Sequence, residues 1–171
     1  MTELTRKFVS TNALSIQEDG CFSGYASVFG VVDLGEEVLA PGAFKDCLEE
    51  KGAGGSRMLF QHDPNEPIGH WTSIREDAYG LAVGGVIDIN VEKGREVLSM
   101  LRSGALDGLS IGFKTIEATI DRQSGVRHIT KADLWEISVV TFPMLPQARV
   151  HDVKSSSSLP SKRSLERWLV R

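Results

Sequence analysis

The chain has 171 residues, 41% of them hydrophobic and 25% charged, with a formal net charge of −4, two cysteines and four histidines. A chain of this length buries roughly 68–70% of the surface its unfolded form would expose, so it needs no disulfide or metal staple to fold, and one domain is expected. The acidic balance argues against a nucleic-acid-binding body, and no apolar run approaches the ~20 residues of a membrane-spanning helix.

Met1-Thr2-Glu3-Leu4 does not open a signal peptide, and Cys21 and Cys47 form no C-x-x-C pair. A reducing compartment is the default, so an intracellular protein is expected. The first third reads as β-structure. FVSTNALSIQ and CFSGYASVFG flank Glu18-Asp19-Gly20, and Asp-Gly is a strong hairpin signal. PGAFKDCLEEKG predicts a short helix with Pro41 early and Gly52 as its stop. GAGGS then leads into RMLFQHDP, a strand expected to end where Asp63-Pro64 breaks the ladder. IGHWTSIRED and GLAVGGVIDI pair through the turn at Ala78-Tyr79-Gly80. VEKGREVLSMLRSG is the strongest helix pattern, with Val97, Leu98 and Leu101 on one apolar face and Gly104 at its end.

Two further strands follow, LSIGFKTIEATI and HITKADLWEISVVTFP, joined by a turn at Gln123-Ser124-Gly125 and closed by Pro143. Beyond Val150 the composition changes. Ser155 to Ser158 and Pro160 read as a linker, and SLERWLVR as an amphipathic end through Leu165, Trp168 and Leu169. Lys154, Lys162, Arg163, Arg167 and Arg171 against Glu166 give this tail a charge of +4 and leave −8 for the body. The expected organisation is a body over residues 1–152 and a flexible tail over 153–171. Short strands joined by tight turns, with two helices, predict a mainly β (α+β) fold: an antiparallel barrel or sandwich with flanking helices.

Gly108-Leu109-Ser110-Ile111-Gly112 matches the G-x-S-x-G pattern of serine hydrolases. In an α/β-hydrolase that serine follows a strand and precedes a helix. Here a helix precedes Ser110 and an apolar strand follows, so the elbow match is accidental. Strand parity restores interest in Ser110. Leu109, Ile111 and Phe113 alternate with Ser110, Gly112 and Lys114, so one face is apolar and the other presents a hydroxyl beside a glycine. Gly112 leaves room for a substrate backbone, and Gly108 permits an unusual φ.

A serine hydroxyl needs a base. His62, His70, His128 and His151 have no metal-ligand spacing, so no metal is expected. His62 ends a strand whose Met58 and Phe60 share its face, at the rim of an apolar surface. His70 beside Trp71 reads as structural, and His128 starts a strand. Glu136 is a carboxylate within an apolar strand, which is costly unless it faces water or is paired. Both readings stand on the residues alone.

GYASVFG, APGAF, LFQHDP…PIG, GREVLSMLRSGALDGLSIGF and LWEISVVTFPMLPQARV, in that order, resemble the tailed-phage prohead proteases, the serine proteases of capsid maturation. The resemblance runs from about Gly24 to Val150. It implies a herpesvirus-assemblin-like antiparallel β-barrel wrapped by helices, with His62 as base and Ser110 as nucleophile. The herpesvirus relatives use a second histidine as third member, whereas the corresponding strand here carries Glu136. Glu136 is favoured because a carboxylate suits an imidazole that becomes charged, and His128 is the rival. Arg149 is a weak candidate for oxyanion support. No cofactor is implied. The implied partners are scaffolding protein or the scaffold segment of the major capsid protein, and the chain's own tail, cut near 154–160, with a possible homo-oligomer. The implied location is the host cytoplasm, inside the assembling prohead. The alternative is a non-enzymatic β-barrel that binds scaffold or capsid.

Overall fold

One strand organises the molecule. In the computed structural model, which describes residues 20–153, β7 (Arg127–Val140) pairs antiparallel along one edge with β6 (Gly108–Ile120). Its other edge takes two short strands in parallel, β2 (Glu37–Leu39) against residues 127–129 and β3 (Arg57–Phe60) against residues 136–139. From β3 the sheet continues antiparallel through β4 (Asp63–Glu76), β5 (Gly80–Ile87), β1 (Cys21–Val28) and β8 (Val150–Val153).

The sheet curls until its ends meet. Gly108 bridges Arg149, the Leu109 N–H donates to the Ala148 carbonyl at 3.0 Å, and the Val150 N–H donates to the Asp107 carbonyl at 2.8 Å. The mainly β barrel with flanking helices is therefore present. The two parallel contacts on β7 are an addition that its short partners, of three and four residues, did not announce.

α1 (Lys45–Lys51) ends at Gly52 as expected but starts four residues after Pro41, because Gly42 has φ +89° and cannot sit in a right-handed helix. α2 (Glu92–Ser103) buries Val97, Leu98 and Leu101 and stops at Gly104 in the left-handed conformation. The β4–β5 pairing turns at the expected Ala78-Tyr79-Gly80, with Gly80 already the first residue of β5. No helix among the described residues is long and apolar enough to cross a membrane. The first hairpin arm, FVSTNALSIQ, and the serine-rich tail lie outside the described residues.

A bulge in β7 decides which side chains face outward. Gly112 pairs with Glu136 but Phe113 pairs with Leu134, so Trp135 is one extra residue. Before it, Ala132 and Leu134 belong to the core; after it, Ile137 and Val139 do. Burying Leu134, Ile137 or Val139 is worth roughly 1.5–3 kcal/mol each, so anchors on both sides hold the parity change in place. Glu136 and Ser138 consequently point away from the core, on the face shared with Ser110 and Gly112.

Candidate active site

The base candidate is aimed by a turn. Phe60 pairs with Asp63, so Gln61 and His62 alone connect β3 to β4, and both are left-handed, with φ of 55° and 60°. Two-residue hairpins of the primed type require that sign and usually use Asn or Gly. A residue with a Cβ costs about 1–2 kcal/mol there. Several hydrogen bonds hold the strain. The Gln61 N–H donates to the Val139 carbonyl at 3.0 Å, and Gln61 Nε2 donates to Thr141 Oγ1 at 2.6 Å. The His62 N–H donates to Ser138 Oγ at 3.1 Å. The strand expected to end at Asp63-Pro64 thus stops at Phe60, and Asp63 and Pro64 open β4 instead of breaking the ladder. The turn, rather than strand alternation with Met58 and Phe60, orients His62.

The imidazole meets Glu136. His62 Nδ1 lies 2.7 Å from Glu136 Oε1. A carboxylate only accepts, so Nδ1 carries a proton, and in the neutral imidazole Nε2 is the nitrogen with the free lone pair. The Glu136 hydrogen bond holds the His62 imidazole above its usual pKa; partial burial opposes this, and the carboxylate's charge reinforces it. The Glu136 side chain is 14% exposed against 43% for His62, so a half-open imidazole is backed by a mostly buried carboxylate.

Ser110 is 4% exposed and stands directly across from Ser138 in the β6–β7 register. Its hydroxyl makes no hydrogen bond to another described residue. Opposed residues in an antiparallel pair lie ~5 Å apart, so Ser110 is one neighbour removed from the group that binds the His62 main chain. A cavity of about 120 Å³ opens beside it, with Ala26, Leu39, Leu109, Ile111 and Phe113 in its lining. His62 and Glu136 do not line that cavity.

The other candidates lie apart. His128, exposed on β7, pairs with Thr119 at the end of the strand remote from His62. The Arg149 guanidinium is engaged by the Asp107 carboxylate and donates to the Pro146 carbonyl at 2.8 Å. His70 is exposed on β4, and His151 stacks edge-on with Tyr25. Two glycine readings change. Gly108 has no left-handed φ; a Cβ there would stand 2.5 Å from the Val140 carbonyl oxygen. The space over Gly112 is filled by the Glu136 carboxylate rather than left for substrate.

Ser138 escaped the sequence reading. Completely buried, it donates to Glu136 Oε2 at 2.6 Å while accepting from the His62 N–H. Its signal was there, a hydroxyl two residues after Glu136 inside an apolar run, hence on the same strand face. Among the described residues no group of His, Cys, Asp and Glu is arranged to hold a metal.

The family described as Caudovirus prohead serine protease matches residues 8–163. The chain is 34% identical over 155 residues to the prohead protease of Enterobacteria phage HK97, covering 89% of this chain and 68% of that one. It is 32% identical over 126 residues to the capsid polyprotein of Pseudomonas phage PAJU2, covering 68% of this chain and 19% of that protein. Among solved structures, the bacteriophage T4 capsid assembly protease gp21 superposes with a TM-score of 0.57 at 14% identity, over 72% of this chain and 82% of that one. The KSHV protease in complex with a hexapeptide phosphonate inhibitor gives 0.50 at 18% identity, over 87% and 74%. At these identities the two structures show a shared fold.

Proposed function

Because this chain belongs to the caudovirus prohead serine protease family and is a capsid-maturation protease, we propose that it cleaves peptide bonds by acyl transfer through Ser110, with His62 as general base and Glu136 as the third member. The observation that carries this reading is the 2.7 Å contact between His62 Nδ1 and Glu136 on the strand face shared by Ser110. His62 Nε2 takes the Ser110 proton as Oγ attacks the scissile carbonyl. The proton then passes to the leaving amine, and water hydrolyses the acyl-enzyme by the same route reversed. Glu136 fixes the tautomer and stabilises the imidazolium. Backbone N–H groups stabilise the oxyanion, since the Arg149 guanidinium is already bound by Asp107 and Pro146.

The substrates are scaffolding protein or the scaffold segment of the major capsid protein, a reading supported by relatives named as prohead protease and capsid polyprotein. Cleavage takes place inside the assembling prohead in the host cytoplasm. Residues 1–152 form the catalytic domain, and the chain cuts its own tail near 154–160, within the serine-rich stretch Ser155 to Ser158. The test is co-expression with the scaffold. Ser110→Ala should abolish both scaffold processing and tail loss; processing at the wild-type rate would remove Ser110 from the mechanism.

A further inference from the structure

We propose that Ser138 is a positioning residue, whose hydroxyl ties the Glu136 carboxylate and the His62 main chain into one ring and so holds the imidazole toward Ser110. The inference rests on the roles assigned above to Ser110, His62 and Glu136.

Ser138 lies where three strands meet. In the β7 register it stands opposite Leu59 of β3, three residues before His62, and opposite Ser110 of β6. A hydroxyl has one proton to give and lone pairs to receive. The proton goes to Glu136 Oε2 at 2.6 Å, and a lone pair receives the His62 N–H at 3.1 Å. Glu136 Oε1 then meets His62 Nδ1 at 2.7 Å. The ring closes through both the side chain and the main chain of one histidine. With its proton committed to a carboxylate and its surface fully buried, Ser138 is not a second nucleophile.

The ring answers a geometric need. Glu136 has rotatable bonds between strand and carboxylate, and His62 occupies a left-handed turn position that its side chain disfavours. Without Ser138, Glu136 Oε2 has no donor among the described residues. Other groups facing the pair do not substitute. Arg57, in register with Glu136 on β3, donates to the Gly54 carbonyl. The Asp63 carboxylate accepts from Asn65. On β6 the facing residues are Ser110 and Gly112, which carry no charge.

The test uses the full chain with two readouts. One is the rate at which a fluorophosphonate labels Ser110. The other is the NMR titration of the His62 imidazole, followed in a Ser110→Ala background so that no self-cleavage intervenes. Ser138→Ala should slow labelling about tenfold or more and move the His62 titration down toward an ordinary imidazole. Ser138→Thr, which keeps the hydroxyl, should recover both. If Ser138→Ala does not fold, Ser138→Cys carries the comparison, because a thiol keeps the shape but donates poorly. A folded Ser138→Ala protein with unchanged labelling and titration overturns the proposal. Failure of the underlying reading looks different: labelling would persist in Ser110→Ala, while the His62 titration still reports on Ser138.

Discussion

Gly112 and Glu136 face each other across β6 and β7, and a Cβ on residue 112 would stand 2.2 Å from Glu136 Oε1. The carboxylate reaches His62 only because residue 112 has no side chain. Gly112→Ala should therefore separate stability from activity. The clashing atom is the far end of a side chain, so the fold can yield at a cost of about 1 kcal/mol. The Glu136–His62 contact cannot, and cleavage should fall about 100-fold or more. Thermal unfolding beside scaffold processing checks this; an active Gly112→Ala enzyme would mean Glu136 is dispensable.

The choice of third member has a direct test. His128 stands eight residues before Glu136, ~26 Å away along an extended strand. Glu136→Gln should lower kcat by a factor of roughly 10²–10⁴, the range expected when a base loses the group that fixes its tautomer. His128→Ala should leave kcat within about twofold on the same general-base reasoning. The reverse pattern would transfer the role to His128.

The raised pKa of His62 gives two opposite pH trends. In the proposed role of base it works only when neutral, so kcat/KM should reach half its plateau above pH 6.5, the ordinary imidazole value. For stability the sign reverses, because the folded protein binds the proton more tightly than the unfolded chain. That contribution is fully present below pH 6.5 and disappears as pH rises through the folded value. Glu136→Gln should shift the activity limb to lower pH and flatten the fall in melting temperature across neutrality. Parallel limbs for wild type and Glu136→Gln would show that the carboxylate does not set the imidazole's proton affinity.

Arg149→Ala should leave kcat within about threefold and cost at most ~1 kcal/mol of stability, as expected for a surface ion pair. The barrel seam it belongs to is held by main-chain bonds between residues 107–109 and 148–150, which the substitution keeps. A loss of 30-fold or more in kcat, read against unchanged KM, would assign the guanidinium to the oxyanion instead.

Much of the fold was legible because its signals are local. α2 has an apolar face and a stop glycine, and the β4–β5 and β6–β7 hairpins carry their turn residues. The parallel placement of β2 and β3 beside β7 was not, since three- and four-residue strands have too little periodicity to reveal a partner. The candidate site was legible in part. Ser110 and Glu136 stood out as polar groups in apolar strands, and the resemblance supplied the pairing with His62. What stayed hidden depends on register: Ser138 as the link between the His62 main chain and the Glu136 carboxylate, Gly112 as the seat of Glu136, and a left-handed turn built from Gln61 and His62, where no Asn-Gly announces it.

Trp135 shows how little of this depends on chemistry alone. It is the bulge residue, and it stays 59% exposed while its neighbours sort themselves to either side of the sheet. Removing it would leave every polar group of the site in the chain, yet residues 136–140 would turn over. Glu136 and Ser138 would be driven into the core, and Ile137 and Val139 onto the face that now holds the polar groups of the site. The site is specified by counting as well as by kind. In this segment of β7, single-residue insertions and deletions are the changes the protein can least absorb, ahead of any substitution at an exposed position.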